Sequence, residues 1–211
     1  MPAYSFLTIK STGKGIYKEK GSKFLAFAYP VSSESEIKER IASLKSEYFD
    51  ARHHCFAWIL GAEKKQFRAF DDGEPNHSAG DPILGQIRSR NLTDVLVVVV
   101  RYFGGTKLGV GGLIAAYKSA AEDALHNSLI VEKEVMERIT LSYDYSITAE
   151  VMKMVKDFDM TIVAQEFKQQ CDLMADVPLK NKNKFDEKMK LLNDLGLPLS
   201  SPTAPPPKGE E

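Results

Sequence analysis

The chain is short of the features that would classify it at a glance. Its 211 residues include two cysteines, Cys55 and Cys171. They are far apart and form no CxxC pair, which argues against a disulfide framework and fits a reducing compartment. An excess of either charge is also missing: 28 Lys and Arg stand against 29 Asp and Glu, for a net charge of −1. Attraction to nucleic acid or to an anionic membrane therefore cannot come from the molecule as a whole, and any such binding must be local. No apolar run approaches the roughly 18 residues of a spanning helix. The opening MPAYSFLTIK carries no charged leader ahead of an apolar stretch, so the expectation is a soluble, unexported, cytoplasmic protein with no membrane partner.

What is present is a grammar of strands and helices that runs once and then restarts. KFLAFAYPV (23–31) reads as a strand after a lysine-rich lead-in. Ser33 and Glu36 have capping-box spacing ahead of a helix with Ile37, Ile41, Leu44 and Tyr48 on one face. CFAWIL (55–60) and QFRAF (66–70) read as neighbouring strands, and Asp81-Pro82 as the start of a short helix with Asp81 as its cap. DVLVVVV (94–100) is apolar at every position after its aspartate, the pattern of a central strand covered on both faces. An alanine-rich helix follows at 113–126. The first domain is expected to span 1–130. Beyond it, a strand at 138–145, a helix marked by Val151, Met154, Val155 and Phe158, a strand pair at 160–168 and 170–178, and a helix marked by Phe185, Met189 and Leu192 give β-α-β-β-α. That order fits a ferredoxin-like domain over 136–199, with a poorly specified last strand at LGLPLS. The proline-rich tail, 200–211, is expected to be disordered.

Between the valine run and the alanine-rich helix lie Gly104, Gly105, Gly109, Gly111 and Gly112, five glycines in nine residues. Glycine in such numbers costs folding entropy, so the chain must gain tight turns or close approach of main-chain N–H groups to something. The standard nucleotide signatures do not fit. Val110 stands where a Walker motif needs lysine, and Ile114 where a dinucleotide fingerprint needs its third glycine. What remains is a strand-to-helix turn whose free N–H groups, with Arg101 and Lys107, form a concavity for an anion such as phosphate. The plainer alternative is a turn packed flat on the sheet with Lys107 solvated.

A second cluster, DDGEPNHSAGDPILG (71–85), holds Asp71, Asp72, Glu74, His77 and Asp81. Carboxylates suit hard cations, but Gly73 interrupts any EF-hand ladder. The reading adopted is a polar turn whose side chains cap backbone N–H groups, with no metal. His53, His54 and Cys55 head a strand in which alternate side chains face opposite ways, so His54 and Cys55 point apart and make no catalytic pair. Ser78 lacks a GxSxG elbow. The aromatic residues Phe24, Phe27, Phe56, Trp58, Phe67 and Phe70 could stack bases on a sheet surface, but their alternation favours core.

Taken together, KGSKFLAFAYPV (20–31), HHCFAWILG (53–61), DDGEPNHSAGDPIL (71–84) and VVVRYFGGTKLGVGGLIAAY (98–117) resemble successive blocks of the IMPACT family, also called the YigZ family, over roughly residues 15–125. The resemblance implies an α+β protein. Its first domain would have the two-layer α/β fold of domain IV of elongation factor G. Its second would be similar to the ferredoxin-like domain V of that factor, the arrangement of bacterial members. Those relatives work on ribosomal RNA, and eukaryotic members regulate translation. The kinase-competition role of the eukaryotic members is not carried over, because their additional N-terminal domain has no counterpart here. The expectation is therefore a translation-associated regulatory protein without a cofactor. It would bind RNA, the ribosome or a protein partner in translation control through Arg101, Lys107 and the five glycines, with Arg52, Arg88 and Arg90 as flanking charges. No catalytic residue is assigned. The alternative is a hydrolase or other enzyme acting on a small phosphorylated or peptide-like substrate, for which Asp71, Asp72, Glu74 and His77 would form a second loop beside the glycine turn.

Overall fold

The computed structural model describes residues 3–197, 199 and 200. By its contacts the chain divides into two compact units, Ser5–Lys133 and a second that runs from Glu134 onward and takes in Tyr4.

The first unit is built on a five-stranded antiparallel sheet. Its strands are β2 (Gly13–Glu19), β3 (Ser22–Pro30), β4 (His53–Leu60), β5 (Gln66–Phe70) and β6 (Val95–Tyr102), in the order β2-β3-β6-β4-β5. Strand β6 is central, and its uninterrupted apolar run is explained by cover on both faces. Val95, Val97 and Val99 share one core with helices α2 (Gly80–Ser89) and α3 (Gly109–His126). Leu96, Val98 and Val100 share another with Ile37 and Leu44 of α1 (Glu34–Glu47). A strand buried on both faces cannot alternate apolar with polar. The N-terminal lead-in is more regular than its sequence suggests: β1 (Ser5–Ile9) pairs with β7 (Ile130–Glu134), and β2 lies against α3. Gly15 permits that approach, since a Cβ there would stand 2.3 Å from the Ala124 nitrogen.

Two helix starts differ from the sequence expectation. Ser33 caps α1 by accepting from Glu36 N at 3.3 Å, but the Glu36 carboxylate reaches back to Ser32 N at 2.9 Å, so the capping box is displaced by one residue. Asp81 does not cap α2. It lies inside the helix, and the cap comes from Asp71, whose Oδ1 accepts from Ala79 N at 3.0 Å and Gly80 N at 2.8 Å. The sequence pattern finds the helix but cannot find a cap supplied from eight residues away.

The second unit has β8 (Met136–Tyr143), a 3-10 turn at Tyr145–Ile147, α4 (Thr148–Asp157), β9 (Thr161–Phe167), β10 (Cys171–Pro178) and α5 (Leu179–Asp194). The sheet order β8-β10-β9 is antiparallel throughout. With two helices on one face, this is the ferredoxin-like arrangement. Its core holds Leu141, Tyr143, Val151, Met154, Leu173 and Phe185 among others. The expected last strand is reduced to one bridge, in which Ser142 N donates to Ser200 O at 2.9 Å and Ser200 N to Ser142 O at 3.2 Å. The tail from 201 onward, expected to be disordered, lies outside the described residues. No helix among the described residues is long and apolar enough to cross a membrane.

Candidate functional site

The two loops singled out in the sequence meet at the end of the five-stranded sheet. Their meeting follows from strand register. Arg101 is paired with Phe24 of β3 on one side and His53 of β4 on the other. It has the parity of Val97 and Val99, so its side chain emerges on the face covered by α2 and α3. There it is 6% exposed. A charge so deeply placed needs a partner, and loop 71–81 provides one: Arg101 Nη1 donates to Glu74 Oε1 at 2.6 Å. Tyr117 of α3 donates its hydroxyl to the same oxygen at 2.8 Å. Cys55 donates its thiol to the Asp71 carbonyl at 2.9 Å and lies 3.3 Å from the Tyr117 hydroxyl. Burial pushes both the Cys55 thiol and the Tyr117 phenol well above their ordinary pKa values. Cys55 is therefore a protonated packing residue, far from a thiolate nucleophile.

Above this buried pair opens a pocket of about 440 Å³, lined by Arg52, His53, Glu74, Arg101, Phe103 and Lys107 together with Pro75, Leu108, Val110 and Leu113 and the first residue of α3, Gly109. Helix α3 begins here without any side-chain cap, its N-cap position being Leu108. The first N–H groups of a helix have no partner inside it, and the helix dipole adds positive potential at that end. Three cationic side chains and a bare helix N-terminus thus face one space that contains a single carboxylate.

The five glycines do different jobs. Gly104 is a packing glycine, because a Cβ would fall 1.9 Å from the Gly21 carbonyl carbon. Gly105 and Gly109 have φ of +87° and +72°, a conformation that costs other residues strain. Gly112 is tight, its Cβ position 3.0 Å from Leu108 Cβ. Gly111 has neither reason: its φ is ordinary and a Cβ would meet nothing within 4 Å. Nothing in the packing of the described residues demands glycine at that position.

The other acidic-loop residues turn elsewhere. Asp71 is consumed by backbone, accepting from His77 N at 2.9 Å in addition to the two N–H groups at the start of α2. Asp72 accepts from His54 N at 2.7 Å and faces Lys45 at 3.7 Å. His77, at φ +63°, pairs with Asp81 at 2.7 Å in an exposed pair outside the pocket. Among the described residues no three His, Cys, Asp or Glu side chains are grouped to hold a metal ion. Arg88 and Arg90, expected as flanking charges, are displaced to the far end of α2. Arg88 lies over the Phe67 ring at 4.5 Å, and Arg90 donates to Gln86 Oε1 at 2.9 Å. His53 and Phe103 enter the site without having been assigned to it from the sequence. The signal available for His53 was period-two parity, since it shares a face with Cys55, Ala57 and Ile59.

The class of the domain follows from comparison with known proteins. The family model described as the Impact N-terminal domain matches residues 20–125. The Bacillus subtilis protein named IMPACT family member YvyE is 32% identical over 191 residues, covering 90% of this chain and 88% of that one. The Escherichia coli protein named IMPACT family member YigZ is 31% identical over 172 residues, covering 81% and 84%. A crystal structure titled only as that of an hypothetical protein superposes with a TM-score of 0.73 at 28% identity, over 95% of this chain and 97% of the other. The chain belongs to the IMPACT family.

Proposed function

We propose that the protein is a translation-associated, cytoplasmic regulatory module that binds RNA or a ribosomal partner through the pocket at the start of α3. The observation that carries the reading is the uncapped N-terminus of α3 opening beside Arg52, Arg101 and Lys107. Phosphate oxygens are natural acceptors for such N–H groups, and a near-neutral protein can hold RNA when its few cations are gathered on one site. The resemblance of the family to ribosome-acting folds supplies the translation context. We further read the units on either side of Lys133–Glu134 as separately folding domains.

The test is direct binding to single-stranded and ribosomal RNA across a salt series. A site built from Arg52, Arg101, Lys107 and the helix end should give a shallow log–log salt slope, about three or four contacts at roughly 0.7 each. Gly111→Val, which adds a branched side chain in the first turn of α3 where a Cβ meets no packing neighbour, should abolish the binding while circular dichroism stays native. Equal binding by wild type and variant, or no binding at about 50 mM salt where such contacts are strong, removes the reading.

One observation favours an enzyme acting on a small phosphorylated or peptide-like substrate: loops 71–81 and 101–112 converge on one pocket, with Glu74 and His53 both in its lining. Against it, the Glu74 carboxylate is held by Arg101 and Tyr117, and the described lining residues include no serine, threonine or cysteine to act as nucleophile. Turnover of a phosphorylated substrate that is lost in His53→Ala would promote this second reading.

A further inference from the structure

Arg101 is half used. Its hydrogen bond to Glu74 is made by Nη1, and its Nε, although buried, has no partner among the described residues. The guanidinium lies between two rings, with Phe24 at 5.5 Å and Phe103 at 5.6 Å. The Nε–Nη2 edge is the side-on fork of arginine, two parallel donors spaced to meet two oxygens of one anion. A buried donor without an acceptor is unfavourable, and a ligand oxygen meeting that edge would offset the loss. The uncapped start of α3, with Gly109 and Val110 in the lining, supplies a second, independent set of N–H donors beside the same pocket, and the next residue, Gly111, is bare for no packing reason.

The donors exceed what an internal phosphodiester can accept with its two free oxygens and single charge. Arg52, Arg101 and Lys107 set against Glu74 leave two positive charges in the lining, which match a phosphate monoester at roughly −1.5 to −2 with three terminal oxygens. A volume of about 440 Å³ holds one small ligand group, and the Phe103 ring, 56% exposed, offers a face to a base.

We propose that the pocket recognises a terminal phosphate monoester borne on a nucleotide: the phosphate on the Arg101 fork and the α3 N–H groups, the nucleoside against Phe103 and Val110. This rests on the RNA-binding reading for its RNA source, while the monoester chemistry would equally admit a free mononucleotide. The test compares one short single-stranded RNA with a 5′-phosphate and with a 5′-hydroxyl, alongside adenosine monophosphate, by fluorescence or calorimetric titration. The phosphorylated RNA should bind at least about tenfold tighter, a difference of ~1.4 kcal/mol. Arg101→Lys keeps the charge beside Glu74 but removes the fork, and should reduce the preference to about twofold. Lys107→Ala, at an exposed position, should weaken binding of the phosphorylated form by about threefold to tenfold. Equal binding of the two RNAs overturns the monoester site and leaves the RNA reading standing. Arg101-dependent binding of adenosine monophosphate without RNA binding supports the monoester site and removes the RNA reading. No binding of any of the three overturns both.

Discussion

Helices α2 and α3 both begin with glycine at the same end of one sheet, and the chain treats the two starts in opposite ways. At α2, Asp71 folds back to accept from Ala79, Gly80 and His77 N–H groups, so that helix end is closed by the protein's own carboxylate. At α3 the N-cap position is Leu108, no side chain accepts, and the opening is surrounded by Arg52, Arg101 and Lys107. The first is a solved structural problem. The second is the same problem left open, in a pocket lined by three cationic side chains and one carboxylate. The one acid that enters that pocket, Glu74, is fixed by two hydrogen bonds, so it anchors the floor and does not fill the helix end.

Substitutions at the two helix starts test this contrast. The largest effect should come from the floor. Glu74→Ala leaves the Arg101 guanidinium buried without a countercharge, and such a loss typically costs about 3–5 kcal/mol, readable as a shift in the denaturant midpoint at constant slope. Next is Asp71→Ala, which strips the closed helix end of its acceptor. With cap losses of about 0.5–2 kcal/mol and further unsatisfied N–H groups, roughly 2–3 kcal/mol is expected.

Two glycine substitutions then separate structure from ligand. Gly104→Ala should destabilise, by roughly 1–3 kcal/mol, as overpacking against backbone does. Gly111→Ala should stabilise the protein by up to about 1 kcal/mol, because alanine is the better helix residue and the space is open. Thermal melts of the two variants should therefore move in opposite directions. A destabilised Gly111→Ala would return that glycine to an ordinary packing role and weaken the case for an open α3 end.

The smallest effect concerns His54, which is buried with its Nε2 unpartnered. Burial holds its pKa below the ordinary 6.5, outweighing the opposing pull of Asp72. Unfolded chains therefore take up this proton before folded ones do. The associated stability is complete above about pH 6.5 and is lost as pH falls below it toward the folded value. His54→Leu should flatten that part of the stability–pH curve measured by denaturant titration, while a curve unchanged in the variant would place the dependence elsewhere.

Local sequence carried a good deal of this protein. The all-apolar β6, the alternation of β8, the helical faces of α1, α4 and α5 and the family motifs could be read directly, because strand and helix periods are properties of short segments. The glycine turn and Arg101 could be flagged on chemistry alone. What the sequence could not assign was which partner each group meets. Asp71 and Asp72 are adjacent and alike, yet one caps α2 and the other holds the start of β4. Glu74, two residues on, becomes a buried countercharge because Gly73 at φ +86° turns the chain toward Arg101. Arg88 and Arg90 have the same charge as Arg52, but the length of α2 carries them away from the pocket. Composition and periodicity thus marked most of the elements, the want among the described residues of a helix long and apolar enough to cross a membrane, and the residues chemically able to meet an anion. That β6 brings Arg101 between Phe24 and His53, that Glu74 pairs with it, and that the α3 end stays open came from the fold, because hydrogen-bond partners and burial arise from long-range packing and no local pattern encodes them.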